Sequence, residues 1–114
     1  DEALSIMLKA LEFASEDFGV NISVASIQRS IGNIDESKKY IERSRKLIKD
    51  DKDNWYNLAC LESVAGNKDL SFQYLIKSTE ANKLDKPFAW EDPDLEWIRD
   101  DPRFIEIVGP KPEK

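Results

Sequence analysis

The side chains of this sequence that could do chemistry are a single cysteine and a run of acidic residues. Cys60 is the only cysteine, and none of the 114 residues is a histidine. Without histidine the chain lacks the most common general base, so Ser–His–Asp triads and zinc sites of cysteine and histidine are excluded. A cysteine with no evident partner base is more typical of a small packed residue than of a nucleophile. We therefore predict no catalytic role for Cys60.

The acidic run lies near the carboxyl end and invites comparison with a metal site. Its members are Glu91, Asp92, Asp94, Glu96, Asp100 and Asp101. A calcium loop needs oxygen ligands at alternating positions, a central glycine and a closing glutamate. Asp92, Asp94 and Glu96 alternate, but no glycine follows them and Arg103 occupies the place of the glutamate. Helix capping and solvation explain the run better, and no glycine-rich nucleotide loop is present. We predict no metal, no cofactor and no enzymatic activity.

The composition is that of a small globular protein. Apolar residues make up 40% and charged residues 35% of the chain, which argues against disorder and for one domain. The net charge of −6 disfavours nucleic acid as a partner, because an acidic surface repels phosphates. No apolar run approaches the roughly 20 residues of a membrane helix, and a lone cysteine suits a reducing compartment. We expect a cytoplasmic protein that binds neither nucleic acid nor membranes.

The chain repeats itself with a period of 34 residues, the spacing between Gly32 and Gly66. Residues 18–51 fall on residues 52–85 without a gap. Identical pairs include Ala25/Ala59, Gly32/Gly66, Asn33/Asn67, Asp35/Asp69, Ser37/Ser71, Tyr40/Tyr74 and Ser44/Ser78. Apolar residues at helical spacing precede each Gly-Asn pair, and glycine accepts the left-handed conformation that ends a helix. Each repeat is therefore predicted to be a helical hairpin that buries its apolar face by stacking.

The second helix of each predicted hairpin begins close to an aspartate. Asp35 and Asp69 follow the Gly-Asn pairs, where either carboxylate could cap the free amides of the next helix. Small serines on these helices, such as Ser37 and Ser71, would allow the two helices of a hairpin to approach closely.

These residues resemble the tetratricopeptide repeat (TPR), whose pattern is Trp-x2-Leu-Gly-x2-Tyr followed by Ala-x3-Phe. The second repeat has Trp55, Leu58 and Ala59 in the first part, and Ser71-x3-Leu75 in the second. The resemblance implies an all-α fold of antiparallel helical hairpins stacked as a right-handed superhelix. It divides a single domain, 1–109, into the second helix of a truncated repeat (1–17), two repeats (18–51 and 52–85) and a capping segment (86–109), before a flexible tail (110–114).

The repeat also extends towards the amino terminus, in the same phase. Residues 1–17 align with the second half of a repeat, so we expect the chain to be a fragment of a longer repeat protein.

Two Asp-Pro pairs mark the segment that follows the repeats. Aspartate favours the cap position and proline the first helical position, so Asp92-Pro93 and Asp101-Pro102 predict two short helices. The segment resembles the closing segment of some TPR arrays, which implies that it covers the last repeat.

The resemblance implies a non-catalytic protein–protein interaction scaffold that binds a peptide or helix of a partner on its concave face. The positions expected to face this groove are Ile22, Ser26, Arg29 and Ser30 in the first repeat, and Tyr56, Asn57, Cys60, Ser63 and Val64 in the second. A different arrangement, in which the closing segment fills the groove with Trp90 and Trp97, stays open. Of the residues with which some members of the family clamp a terminal carboxylate, only Asn57 is present, so no such clamp is predicted.

Two further surfaces could mediate association. One predicted helix carries a docking patch opposed only by Glu42, and its basic residues are Lys38, Lys39, Arg43, Arg45 and Lys46. This patch is either a solvated helix face, favoured by the helix dipole, or a contact for an acidic partner or for the acidic end of a neighbouring copy. The first helix carries apolar residues that could pair with another copy, namely Leu4, Met7, Leu8 and Leu11. The alternative functions are thus a structural array cap that mediates self-association, with a homo-oligomer as its product, or the regulatory end of an upstream enzyme.

Overall fold

The computed structural model describes residues 2–112, and within that range the chain is entirely helical, with no strand. The predicted all-α class is therefore confirmed. Asp1 of the predicted first helix and the last two residues of the predicted tail lie outside the described range. The elements are α1 (Glu2–Phe13), α2 (Phe18–Ser30), α3 (Ile34–Leu47), α4 (Trp55–Ala65), α5 (Lys68–Glu80), α6 (Lys86–Glu91), a 3₁₀ turn (Pro93–Leu95) and α7 (Pro102–Val108).

The chain forms two compact units, Asp1–Ile48 and Lys49–Lys114. In the first unit α2 packs against α3, and α1 packs against α2. In the second unit α4 packs against α5, the 3₁₀ turn packs against α4, and α7 packs against α5. Over the described residues, no helix is both long enough and apolar enough to span a membrane.

Each unit contains a hairpin whose turn is built on a glycine. Gly32 has a φ of 91° and Gly66 a φ of 88°, a region that residues with a side chain rarely adopt. After each glycine the amide of the asparagine, Asn33 or Asn67, donates to a carbonyl five residues earlier at 2.8 Å. The same turn therefore ends the first helix of both hairpins, as the Gly-Asn pairs predicted.

The prediction that Asp35 and Asp69 cap the second helices is wrong. The helices α3 and α5 start so early that Asn33 and Asn67 occupy their cap positions, and neither asparagine side chain accepts a helix amide. Each asparagine Nδ2 instead donates to the side chain five residues earlier, at 2.9 Å. The two aspartates lie at the second helical position, where their charge still favours the positive end of the helix dipole.

A pair of serines joins the helices inside each hairpin. Ser37 Oγ donates to the carbonyl oxygen of Ala25 at 2.8 Å, and Ser71 Oγ donates to that of Ala59 at 2.7 Å. Both serines are buried. The two hydrogen bonds join residues that match in the sequence repeat. The 34-residue repeat is therefore present in the tertiary contacts as well as in the sequence.

Three short elements follow the second hairpin, whereas the Asp-Pro pairs predicted two helices. The aspartates Asp92 and Asp101 do cap, by accepting amide hydrogens two residues later, but Pro93–Leu95 forms only a 3₁₀ turn. The missed helix, α6, is capped by Asp85, whose Oδ1 accepts from Phe88 N at 3.0 Å. Its signal is an aspartate separated by one residue from a proline that lies in the first helical turn.

The carboxyl-terminal segment, defined here as residues 85–109, completes the core of the second unit. One cluster of buried side chains joins this segment to the hairpin of α4 and α5. The cluster consists of Ala59, Cys60, Phe72, Leu75, Ala89, Leu95, Ile98, Phe104 and Val108. The hairpin therefore shares its core with the segment that covers it.

We expect Gly66→Ala to lower the free energy of unfolding by about 1 kcal/mol, because alanine must adopt the left-handed conformation of the turn. A Cβ at Gly66 would meet no atom within 4 Å, so the effect comes from the backbone alone. Gly66→Asn is the matched variant, and we expect it to lose less, since asparagine tolerates this conformation. Urea denaturation measures both, and equal losses would contradict this origin of the effect.

Candidate functional site

The face of α4 that the sequence assigns to a binding groove is mostly covered. Cys60, Ser63 and Val64 are at most 3% exposed, Tyr56 is half-buried, and Asn57 is exposed. The 3₁₀ turn of the carboxyl-terminal segment packs on this helix. Of the expected groove positions in the second unit, Tyr56 and Cys60 contact the chain's own closing segment.

The hydrogen bond of the predicted plug residue Trp90 lies within the closing segment. Trp90 packs edge-on against Phe104 with ring centroids 4.9 Å apart, and its Nε1 donates to the carbonyl of Gly109 at 3.0 Å. Trp90 thus ties the closing segment to itself. The ring contact to α4 comes from Phe88, whose centroid lies 6.3 Å from that of Tyr56.

A buried carboxylate connects the closing segment to α4. Asp92 is 7% exposed, and its Oδ2 accepts a hydrogen bond from the Tyr56 hydroxyl at 2.7 Å. The Cys60 thiol donates to the same oxygen at 3.7 Å, while Oδ1 accepts from the amide of Asp94 at 2.9 Å. Asp92 is therefore a cap for its own turn and an acceptor for two side chains of α4.

The local sequence places these groups together. Tyr56 and Cys60 are four residues apart, so they lie on the same face of α4. Pro93 fixes the start of the 3₁₀ turn, which holds the carboxylate of Asp92 towards its own amides. The guanidinium of Arg99 stabilises the backbone of this loop, because its Nη2 donates to the carbonyl of Asp92 at 2.6 Å.

Burial decides the protonation of these groups. Burial raises the pKa of the Tyr56 hydroxyl far above its usual value, and the hydrogen bond to Asp92 adds to the effect. Burial also raises the pKa of the Cys60 thiol, followed by the negative charge of Asp92. Both donors therefore keep their protons, and the thiol is the opposite of an activated nucleophile. Asp94 is different, because burial and then the charges of Asp92 and Glu96 raise its pKa to about 7.

The same groups form the one set within residues 2–112 whose atoms are close enough together to share a cation. One ligand atom each from Cys60, Asp92 and Asp94 lies within 4.8 Å of the others. However, both carboxylate oxygens of Asp92 already accept hydrogen bonds from protein donors. Hydrogen bonding accounts for the arrangement, so we assign no metal site to it.

In the first unit the predicted groove positions divide between core and surface. Ile22 and Ser26 are 2% and 5% exposed, whereas Arg29 is half-buried and Ser30 is exposed. The hydroxyl of Ser30 donates to the carbonyl of Ile27 in its own helix at 2.8 Å. The side chains of this set that reach solvent are therefore Arg29 and Ser30.

The basic patch of α3 is mostly solvated. Lys38, Lys39, Arg45 and Lys46 are exposed. Arg43 is half-buried, because its guanidinium lies 5.3 Å from the ring centre of Tyr40 and donates to the carbonyl of Ser15 at 3.3 Å. Arg43 thus holds the loop before α2. Arg45 Nε lies 3.7 Å from Glu42 Oε1, and Lys39 Nζ lies 5.8 Å from the ring centre of Tyr40.

Sequence reasoning missed a second connection of the closing segment, made by Arg103. Its Nη1 lies 2.7 Å from Asp69 Oδ1, and its Nη2 lies 3.0 Å from Asp101 Oδ2. Its guanidinium carbon is also 4.5 Å from the ring centre of Phe72. The hydrogen bonds from Arg103 lower the pKa of Asp101 to about 2. This network attaches α7 to α5 independently of Asp92.

Comparisons of the chain with protein-family models, with curated proteins and with solved structures found no match.

We expect Tyr56→Phe to lower the free energy of unfolding by about 1–3 kcal/mol, because the buried Asp92 carboxylate loses a donor. Tyr74→Phe is the matched control, since its hydroxyl makes a longer bond of 3.4 Å to an exposed carboxylate, that of Asp50. We expect the control to change stability by less than about 0.5 kcal/mol. Equal effects of the two variants in urea denaturation would show that the hydrogen bond to Asp92 contributes no more to the free energy of unfolding than the bond to Asp50.

Proposed function

We propose that this chain is a non-catalytic protein–protein interaction scaffold of the TPR type, which binds a peptide or a helix of a partner protein. The observation that supports the proposal most is the recurrence of the hairpin. The hydrogen bond from Ser37 to Ala25 in the first unit recurs as that from Ser71 to Ala59 in the second. Repeats that share one internal geometry are the units from which stacked helical arrays are built. In this proposal the hairpins stack as a right-handed TPR superhelix.

The chemistry of the candidate site also supports a role in binding. Catalytic nucleophiles and bases have pKa values shifted towards the working pH, whereas those of Tyr56 and Cys60 are raised away from it. The chain contains no histidine that could activate either group. Its polar groups near α4 serve to hold two segments together.

The accessible part of the predicted groove defines the surface we propose for the partner. On α4 it is Asn57 with the exposed part of Tyr56, and on α2 it is Arg29 and Ser30. The amide and the aromatic ring on α4 suit the main chain and side chains of an extended peptide. The buried groove positions contribute to the shape of the helices below this surface.

Self-association through α1 is a second candidate, which a separate observation favours. No residue of the described α1 is buried, and Ile6 and Phe13 are 58% and 91% exposed. Leu4, Met7 and Leu11 are only partly covered. Apolar side chains that share one helix and remain in water are typical of a contact surface.

The binding proposal predicts that peptides selected by display on the immobilised chain depend on Asn57. We expect Asn57→Arg to weaken the selected peptides by about tenfold or more, as for a central interface residue. Gln73→Arg is the matched control, since it places the same charge at an exposed position of α5. Fluorescence polarisation measures both affinities. Loss of binding in the control alone would move the site to α5, and failure to select any peptide would count against the proposal.

The second candidate predicts a mass that rises with concentration in sedimentation equilibrium. We expect Phe13→Ser to abolish that rise, because it removes the most exposed apolar side chain of α1. Ile105→Ser is the matched control, since Ile105 is 54% exposed on α7. A monomer at every concentration, or equal effects of the two variants, would remove this candidate.

A further inference from the structure

Two neighbouring carboxylates meet α4 at the point where the closing segment touches it. Asp92 is buried and Asp94 is partly buried, and one atom of each lies within 4.8 Å of the Cys60 sulfur. Two carboxylates this close in a poorly solvated site do not both ionise without cost. Asp92 receives three hydrogen bonds, from Tyr56, Cys60 and the amide of Asp94. Of this pair Asp94 binds the proton, because burial raises its pKa.

The charged and titratable groups around Asp94 come from two directions. From α4 come Tyr56 and Cys60, whose raised pKa values keep both protonated through neutral pH. From the closing segment come the carboxylates of Asp92 and Glu96, which add to burial in raising the pKa of Asp94.

One cation lies nearby on the closing segment, the guanidinium of Arg99. Its Nη2 donates to the main-chain carbonyls of Ala89 and Asp92, so this charge holds the backbone of the loop. At the 3₁₀ turn the pKa of Asp94, about 7, lies in the neutral range.

The sign of the effect follows from the direction of the shift. The closed form binds the proton of Asp94 more tightly than an open form, in which the carboxyl regains its ordinary pKa of 3.8. The closed form therefore has its full advantage below about pH 4 and loses it progressively as the pH rises to about 7. Above that value Asp94 is charged in the closed form too, and its repulsion with Asp92 opposes closure.

The rest of the segment has its own attachment, which does not depend on this proton. Arg103 pairs with Asp69 and Asp101, and Phe104 and Val108 lie in the core. The groups that respond to pH are instead confined to the stretch from α6 to Glu96. Other contacts hold this stretch as well, since Ala89 and Leu95 lie in the core and Trp90 packs on Phe104. The proton of Asp94 therefore adjusts the stability of an attachment to which these residues also contribute.

We propose that residues 85–96 form a proton-controlled latch on α4, which is held most firmly in acidic solution and loosens as the pH rises to neutral. Opening exposes Tyr56 and Cys60 and makes more of the α4 face accessible. That this face then receives a partner rests on the proposed function, whereas the latch itself does not.

Cys60 is a built-in reporter of the latch, because it is the only cysteine and lies under Asp92. The experiment measures the rate of Cys60 alkylation by iodoacetamide in the folded chain and in the urea-unfolded chain at each pH. The ratio of the two rates removes the intrinsic pH dependence of the thiol. We expect this protection factor to fall about tenfold between about pH 6 and about pH 8 in the native protein. In Asp94→Asn we expect it to stay constant.

Glu96→Gln is the control, since it removes an exposed neighbouring charge and should keep most of the pH dependence. A low concentration of urea should change the labelling rate little if the opening is local, and strongly if it is global unfolding. Parallel pH profiles of the native protein and Asp94→Asn would overturn the proposal, as would a strong dependence on urea.

Tyr56→Phe serves as a second variant should Asp94→Asn fail to fold. It removes one donor to Asp92, so protection should be lower at every pH while its fall with pH is retained. Protection equal to that of the native protein would overturn the proposal. The labelling needs no partner, so a flat profile leaves the groove proposal intact, and failure to find a peptide leaves the latch intact.

Discussion

A helical hairpin buries only one side of each of its helices, and this constraint governs the second unit. The hairpin of α4 and α5 places Ala59 and Ser71 between its helices, but Cys60 and Phe72 lie in the cluster shared with the segment that follows. Left uncovered, that side would expose apolar area worth about 25 cal/mol for each Å². The closing segment supplies Leu95, Ile98, Phe104 and Val108 to that side. The closing segment therefore completes the core of the second hairpin.

Apolar packing does not fix where the cover lies along the helix, because it is not directional. The hydrogen bonds of Asp92 fix the position of the closing segment along α4, because a carboxylate that accepts from three donors has few alternative positions. The same residue caps the 3₁₀ turn, so the shape of the cover and its place on α4 depend on one side chain. Arg103 has the corresponding role for α7, by joining Asp69 to Asp101. Asp92 and Arg103 thus position a closing segment that is stabilised mainly by the burial of apolar side chains.

The features that the sequence predicted are those set by neighbours along the chain. The turns at Gly32 and Gly66 follow from the conformational freedom of glycine, and the buried positions of Ser37 and Ser71 follow from helical spacing. The capping error at Asp35 has a local cause as well. A carboxylate at the cap and one at the second helical position look alike in a sequence, and a shift of two residues decides between them.

The contacts that sequence reasoning missed join distant positions. Cys60 and Asp92 are 32 residues apart, and no spacing rule relates them. The Asp-Pro pair predicts that Asp92 is a cap, which it is, and this local role gives no sign of its hydrogen bonds to α4. In the sequence Asp94 belongs to an acidic run that solvation explains. Its burial depends on contacts with distant residues, which the sequence of the run does not indicate. The sequence thus predicted the helix face and raised its covering by the closing segment, but it did not identify Asp92 as a residue that makes the contact.

A covered face changes what a partner must offer. If the proposed function holds, the apparent dissociation constant at α4 is the intrinsic one divided by the fraction of molecules in which the cover is open. A cover open in about one molecule in a hundred would weaken binding by about a hundredfold. The opened face also leaves the Tyr56 hydroxyl and the Cys60 thiol without the acceptor that Asp92 provides. A partner that supplies a carboxylate there restores those hydrogen bonds, whereas an apolar partner leaves two donors unsatisfied at a cost of about 1–3 kcal/mol each. The chemistry of the cover therefore favours an acidic side chain in whatever replaces it.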